Sequence, residues 1–262
     1  MSCISAPIID ISLDNIRQYF DGKFRGPVTL HNALSNSLNI PAVKTLEFVG
    51  LTRFYDFLRN DLGFLSRQPL EQYELGIALG TLEMDLLTLS HFFTIFPEQG
   101  ILRPLTLERA KPEGFVAPME RGGVSKRVAG APTIELVTRI LADREMAVEQ
   151  FGLRSNLTLP YKNYALKTGT SRDYHDSWTI GFTPDFLVGV WLGNSDNTAM
   201  RELTGQSGAG AVFQDVMTLL YTSPYNKNTP FAFDRIQEFT NSGSIEYGLP
   251  GDDYVAAKNS MS

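Results

Sequence analysis

One cysteine, three histidines and no long apolar run set the first limits on this chain of 262 residues. Cys3 alone can form neither an internal disulfide framework nor a cysteine-based zinc site. His31, His91 and His175 lie far apart in the sequence and no H-E-x-x-H pattern occurs, which argues against a histidine metal site. No motif asks for a metal or an organic cofactor. The apolar stretches, such as Phe92 to Phe96, are broken too soon to span a bilayer. The opening MSCISAPIIDISLDN lacks the charged and apolar regions of a signal peptide, so an export element is expected outside this chain if the protein works beyond the cytoplasm. Basic residues are outnumbered 29 to 23, for a net charge of −6, and none cluster into a track for a phosphate backbone. That excludes nucleic acid as a natural partner.

What is present is a chain with 43% hydrophobic and 20% charged residues, enough for a sizeable core in one large domain or two small ones. Helical spacing dominates the first hundred residues. Thr29 is placed to cap a helix over LHNALSNS (30–37), and Pro41 to open one over 41–49 that Gly50 ends. Thr52 is placed to cap a helix over 53–62 closed by Gly63, and Asp85 one over 86–96 with Pro97 and Gly100 beyond it. Proline and glycine make 101–130 a loop, and helical spacing returns over 133–151. Strand signals follow over 163–170, 177–183 and 186–194, with Thr183-Pro184-Asp185 as a tight turn. A closing helix is expected over 208–221, and 223–262 reads as a polar extension. Helices, then an antiparallel meander, then a helix make an α+β pattern.

The stretch ALKTGTS (165–171) carries chemistry. Gly169 lets a ligand approach the backbone closely, the hydroxyls of Thr168 and Thr170 can donate to a carboxylate, and Lys167 sets a positive charge beside them. A backbone N–H just after the glycine can donate to a developing oxyanion. Taken alone, the same residues describe a strand running into a polar loop with a solvated lysine. Ser37 and Asn39, two places apart at a helix end, can face one cleft, the serine relaying a proton and the amide binding a peptide group. Taken alone, they describe helix capping.

Together, S-x-N followed by K-T-G, on a helix end and a strand in that order, match two of the three signature elements of penicillin-binding proteins and class A β-lactamases. The segments 21–50, 74–100 and 164–197, with the D-x-W-x-x-G-x-T-P run from Asp176 to Pro184, resemble the transpeptidase domain of bifunctional, 1C-type penicillin-binding proteins over roughly residues 20 to 222. The resemblance implies a penicillin-binding/serine β-lactamase-like fold, with 1–222 as the back part of the domain and 223–262 appended. It implies Ser37 and Lys167 as the catalytic proton relay, Asn39 as the orienter of the donor peptide, and Thr168, Gly169, Thr170 and Ser171 as substrate-binding residues, the Thr170 N–H forming half of an oxyanion hole.

One element of the signature is missing. No serine has a lysine three places later; Ser37, Ser90, Ser171 and Ser223 all fail, and Ser125-Lys126 has the wrong spacing. The chain holds no nucleophile of this type, and the acyl-accepting serine, with the first sheet strands, is expected upstream of Met1.

The resemblance implies peptidoglycan stem peptides and β-lactams as partners and a site in the periplasm or on the outer face of the cytoplasmic membrane. It also implies a membrane anchor and an upstream glycosyltransferase domain in the full-length protein. D,D-transpeptidation is the expected activity, this chain alone being inactive. A D-Ala-D-Ala carboxypeptidase or β-lactamase, and a non-catalytic wall-peptide-binding module, are the alternatives.

Competing motifs are weaker. GQSGA (205–209) misses G-x-S-x-G at its last position, and no Lys-Ser/Thr follows Gly210 to make a phosphate loop. Asp173, His175 and Asp176 near Ser171 read as a solvated loop, with Asp176 anchoring a hairpin, and Trp178 and Trp191 as cross-strand packing.

Overall fold

A computed structural model describes residues 28–106, 124–201, 203–241 and 243–252. The beginning of the expected 1–222 unit, Cys3, most of the 101–130 loop and the end of the extension lie outside the described residues.

The N-terminal part is helical: α1 (Leu30–Ser35), α2 (Asn39–Val49), α3 (Leu51–Asp56) running into a π-helical turn (Phe57–Asp61), and α4 (Leu86–Phe93). Two 3₁₀ turns, Leu70–Gln72 and Glu74–Leu79, lie between α3 and α4. Thr29 Oγ1 accepts from the Asn32 N–H and Asp85 Oδ1 from the Thr88 N–H, so both expected caps form. Thr52 caps nothing, because α3 starts one residue earlier, directly from Gly50 at φ 89°. Buried Leu46, Tyr55, Leu58, Tyr73 and Ile77 give this part its own small core.

After the short pair β1 (Ile101–Leu102) and β2 (Lys126–Arg127) come α5 (Ala131–Ala142) and α6 (Val148–Phe151). The single helix expected over 133–151 is broken at Asp143. Its backbone is extended, and its carboxylate takes the Glu145 and Met146 N–H groups that a continuing helix would have used.

Strands β3 (Ala165–Thr170), β4 (Asp176–Phe182) and β5 (Leu187–Gly193) form the expected antiparallel meander, followed by α7 (Ala209–Tyr221). Thr183 makes the tight turn: its hydroxyl accepts from the Asp185 and Phe186 N–H groups. Alternation sends Leu166, Val188 and Val190 to one face, where Ala209, Phe213 and Met217 of α7 complete the main core. Ala165 and Phe182 face the other way, onto Leu141 of α5. The sheet is therefore a layer between α7 and α5. Gly181 is required there, since a Cβ would stand 2.4 Å from the Phe213 ring.

A hairpin that the polar composition concealed, β6 (Gln237–Asn241) and β7 (Ser244–Gly248), follows α7. Gly243, at φ 89°, makes its turn.

Candidate active site

Helix α1 ends in a turn whose geometry presents Ser37. The Ser37 N–H bonds back to the Leu34 carbonyl and the Leu38 N–H to the Ala33 carbonyl, the Schellman pattern of a helix end. That pattern puts its last residue in the left-handed region, and Ser37 stands there at φ 56°, where glycine is the usual occupant. Apolar contact among Val28, Ala33 and Leu38 closes the turn beneath it. Buried Asn36 pins the turn from outside, donating to the Met146 carbonyl at 2.9 Å and accepting from the Gln150 N–H at 3.0 Å. A strained serine held from both sides is a feature found at functional sites.

Lys167 reaches this turn from the middle of β3. Its Nζ donates to Ser37 Oγ at 2.5 Å and to its neighbour's carbonyl, Thr168 O, at 2.8 Å. Its ammonium group is enclosed, and burial, with the nearby Arg144 charge, lowers its pKa to about 8. A lysine tuned this way is protonated at neutral pH and yet close to releasing its proton.

Arg144 was not legible as a site residue. It follows the Asp143 break, lays its guanidinium 5.6 Å from the Phe151 ring centre, and keeps Nε buried without a hydrogen-bond partner among the described residues. Arg144, Lys167 and Thr168 line a narrow recess together with Leu34, Ser35, Leu141, Phe151 and Leu166. Two cations over an apolar wall suit a carboxylate.

The remaining residues of the K-T-G strand serve two purposes. In β3, Thr168 and Thr170 alternate with Lys167 and so face the 204–208 loop. Thr170 Oγ1 accepts from the Gly205 N–H at 2.9 Å, which leaves its own hydroxyl hydrogen for another acceptor. Thr179, opposite Thr168, donates to the Gly205 carbonyl at 2.7 Å, so both polar groups of Gly205 are fixed to the sheet. A Cβ on Gly205 would stand 2.8 Å from the Gly169 and Trp178 carbonyls, so only glycine permits this approach. Gly169 itself sits opposite Trp178.

Ser171 closes the β3–β4 connection, its hydroxyl accepting from the Asp176 N–H at 2.6 Å. Asn39 opens α2 and is solvent-exposed. Ser37 and Lys167 are thus brought together, Asn39 lies two residues away at the surface, and Ser171 is engaged in the hairpin. His175 is directed away from Ser171, to the Asn197 carbonyl. Trp178 and Trp191 are paired across β4 and β5, with Asp176 accepting from the Trp191 indole N–H.

The contact between the helix-end serine and the strand lysine joins the two motifs on which the sequence resemblance rests. The chain is 31% identical to penicillin-binding protein 1C of Escherichia coli (strain K12) over 208 residues, 79% of this chain and 25% of that protein. This chain is a relative of the penicillin-binding proteins. Penicillin-binding protein 1A of Aquifex aeolicus is 28% identical over 209 residues, 79% of this chain and 28% of its own length. The chain thus spans about a quarter of these penicillin-binding proteins. Its fold is that of their transpeptidase domains: the structure of penicillin-binding protein 1A from Haemophilus influenzae superposes with a TM-score of 0.65 at 19% identity, over 95% of this chain and 44% of that one. No protein-family model matches the chain.

Proposed function

We propose that residues 1–222 form the Ser37–Lys167 half of a peptidoglycan D,D-transpeptidase site, with 223–262 appended to it. The Lys167–Ser37 bond, across 130 residues of chain, carries this reading. The lysine N–H donates to Ser37 Oγ, which leaves the serine hydroxyl hydrogen free to pass to a leaving amine. Positive potential from Lys167 and Arg144 and the hydroxyls of Thr168 and Thr170 suit the terminal carboxylate of a stem peptide. Asn39 would orient that peptide, and the Thr170 N–H would donate to the oxyanion.

The reaction needs a nucleophilic serine, and none of the S-x-x-K type occurs in the chain. In the proposed reaction that serine, supplied by a longer protein, attacks the D-Ala–D-Ala carbonyl and expels D-alanine. An amine of a neighbouring stem peptide then takes the acyl group and returns the serine. The names of the relatives support penicillin as a second acyl donor; a cell-envelope location and a glycosyltransferase domain in the same longer protein belong to the proposal through the sequence resemblance.

The absence of S-x-x-K favours one second reading, a module that binds wall peptides without chemistry. Labelling with a fluorescent penicillin separates the two. The 262-residue chain is expected to remain unlabelled, and a longer natural form that supplies S-x-x-K to label covalently. A longer form without S-x-x-K would favour the binding module, and covalent labelling of this chain by itself would overturn the assignment of its missing nucleophile.

A further inference from the structure

The β6–β7 hairpin is fastened to α1, the helix that ends in Ser37, through one buried histidine. His31, in the first turn of α1, is 1% exposed. Its Nδ1 lies 3.2 Å from the Ile245 carbonyl and 3.5 Å from Glu246 Oε2, both on β7. Its Nε2 lies 3.2 Å from Asp143 Oδ2, at the break after α5. That N–H is not aimed squarely at the oxygen, so the contact is a charge pair rather than a linear hydrogen bond. With a carbonyl and a carboxylate beside Nδ1 and a second carboxylate beside Nε2, the surroundings favour the doubly protonated imidazolium.

The rest of the cluster is built around that charge. Tyr247 packs on the imidazole at 4.7 Å and its hydroxyl donates to Asp143 Oδ2 at 3.2 Å. Arg139 of α5 lies over the other partner of this stack, 4.5 Å from the Tyr247 ring, and pairs at 3.7 Å with Glu238 of β6. The hydroxyl of Thr29, which caps α1, donates to Glu246 Oε1 at 2.9 Å. Asp143 also fixes the 143–146 turn, whose Met146 carbonyl holds Asn36, the residue before Ser37. The hairpin therefore grips α1 at its start and, through Asp143, supports the turn at its end.

We propose that His31 is a positioning residue for Ser37, and that the β6–β7 hairpin is a charge latch that orders the Ser37 turn only while His31 is an imidazolium. The proposal stands on these contacts and does not depend on the acyl-transfer reading. Burial alone would push the His31 pKa down, but the contacts with Asp143 and Glu246 outweigh it and raise it to about 9. Because the folded value is raised, the latch is fully engaged below about 6.5, weakens above it, and is open once pH has risen through about 9.

Amide hydrogen exchange on the full chain tests this, read as protection factors so that the intrinsic pH dependence of exchange is removed. Protection of 237–241, of 244–248 and of Asn36 to Leu38 is expected to fall together as pH rises from about 6.5, levelling off near 9. In His31→Gln the step is expected to vanish, with protection at neutral pH about tenfold lower at those places. In Glu246→Gln, which keeps the Asp143 pair, the pH at which the fall levels off is expected to move down; this variant carries the test if His31→Gln does not fold. The small core around Leu46, Tyr55 and Leu58 is expected to keep its protection throughout. Loss of hairpin protection with Asn36 to Leu38 unchanged would overturn the proposal. So would the absence of a pH step, or an equal loss in the control core.

Discussion

Ser37 occupies the left-handed position of a Schellman turn and accepts a hydrogen bond from Lys167 across 130 residues of chain. A β-carbon at such a position costs roughly 1–2 kcal/mol that glycine does not pay. Ser37→Gly is therefore expected to leave the fold intact and slightly raise its stability, by about 0.5–1 kcal/mol after allowing for the freer unfolded chain. Urea unfolding of the variant checks this. A clear destabilisation would mean that the Lys167 bond outweighs the backbone strain.

Lys167 also trades stability for chemistry. Its folded pKa lies below the ordinary 10.5, at about 8, because the folded protein encloses the ammonium group beside Arg144. The unfolded chain then binds the proton more tightly, so this group penalises the folded state fully below pH 8 and the penalty fades as pH rises towards 10.5. Lys167→Met removes the enclosed charge and is expected to stabilise the chain by about 1–2 kcal/mol at neutral pH. Denaturant midpoints of the two proteins should converge as pH is raised.

Gly205 and Gly169 make opposite predictions although both belong to the site. A Cβ on Gly205 meets backbone carbonyls at 2.8 Å, which cannot give way, while one on Gly169 meets Trp178 Cβ at 3.4 Å. Gly205→Ala is expected to cost about 2–3 kcal/mol and to detach the 204–208 loop from Thr170 and Thr179. Gly169→Ala should cost well under half of that. Thermal melts of the two variants give the comparison.

Arg235 covers a charge that α5 cannot cover by itself. Glu135 is fully buried, and both its oxygens are taken by Arg235, one by the backbone N–H at 2.9 Å and the other by the guanidinium. Arg235→Ala leaves the carboxylate without its countercharge and is expected to cost about 2–3 kcal/mol, below the usual value for wholly buried pairs because Arg235 is half exposed. Adding Glu135→Gln should recover part of that loss in chemical denaturation.

Much of this architecture could be read from the sequence where local chemistry and global fold agree. Thr29 and Asp85 have the short oxygen side chain that a helix start requires, and the meander alternates cleanly on either side of a Thr-Pro-Asp turn. What escaped notice was decided by contacts distant in sequence. The spacing over 133–151 is helical throughout, yet Asp143 is drawn out of the helix, its carboxylate binding two N–H groups and facing His31. The β6–β7 hairpin is polar because one side of it meets His31, Arg139 and Asp143 rather than an apolar layer, so composition made it look like a tail. Of the site, Ser37 and Lys167 were marked by motif, but Arg144 and Asn36 belong to no pattern. Their roles follow from the turn that Asp143 creates.

The most direct measurement is the rate of acylation by a fluorescent penicillin in a longer form of the protein that supplies S-x-x-K, compared with its Lys167→Ala and Ser37→Ala variants. A proton relay through these two residues predicts that each substitution slows acylation by about 10²–10⁴-fold without unfolding the protein. The unsubstituted protein should lose rate as pH rises through 8, where Lys167 gives up the proton it holds against Ser37. Acylation at an undiminished rate in both variants would contradict the account.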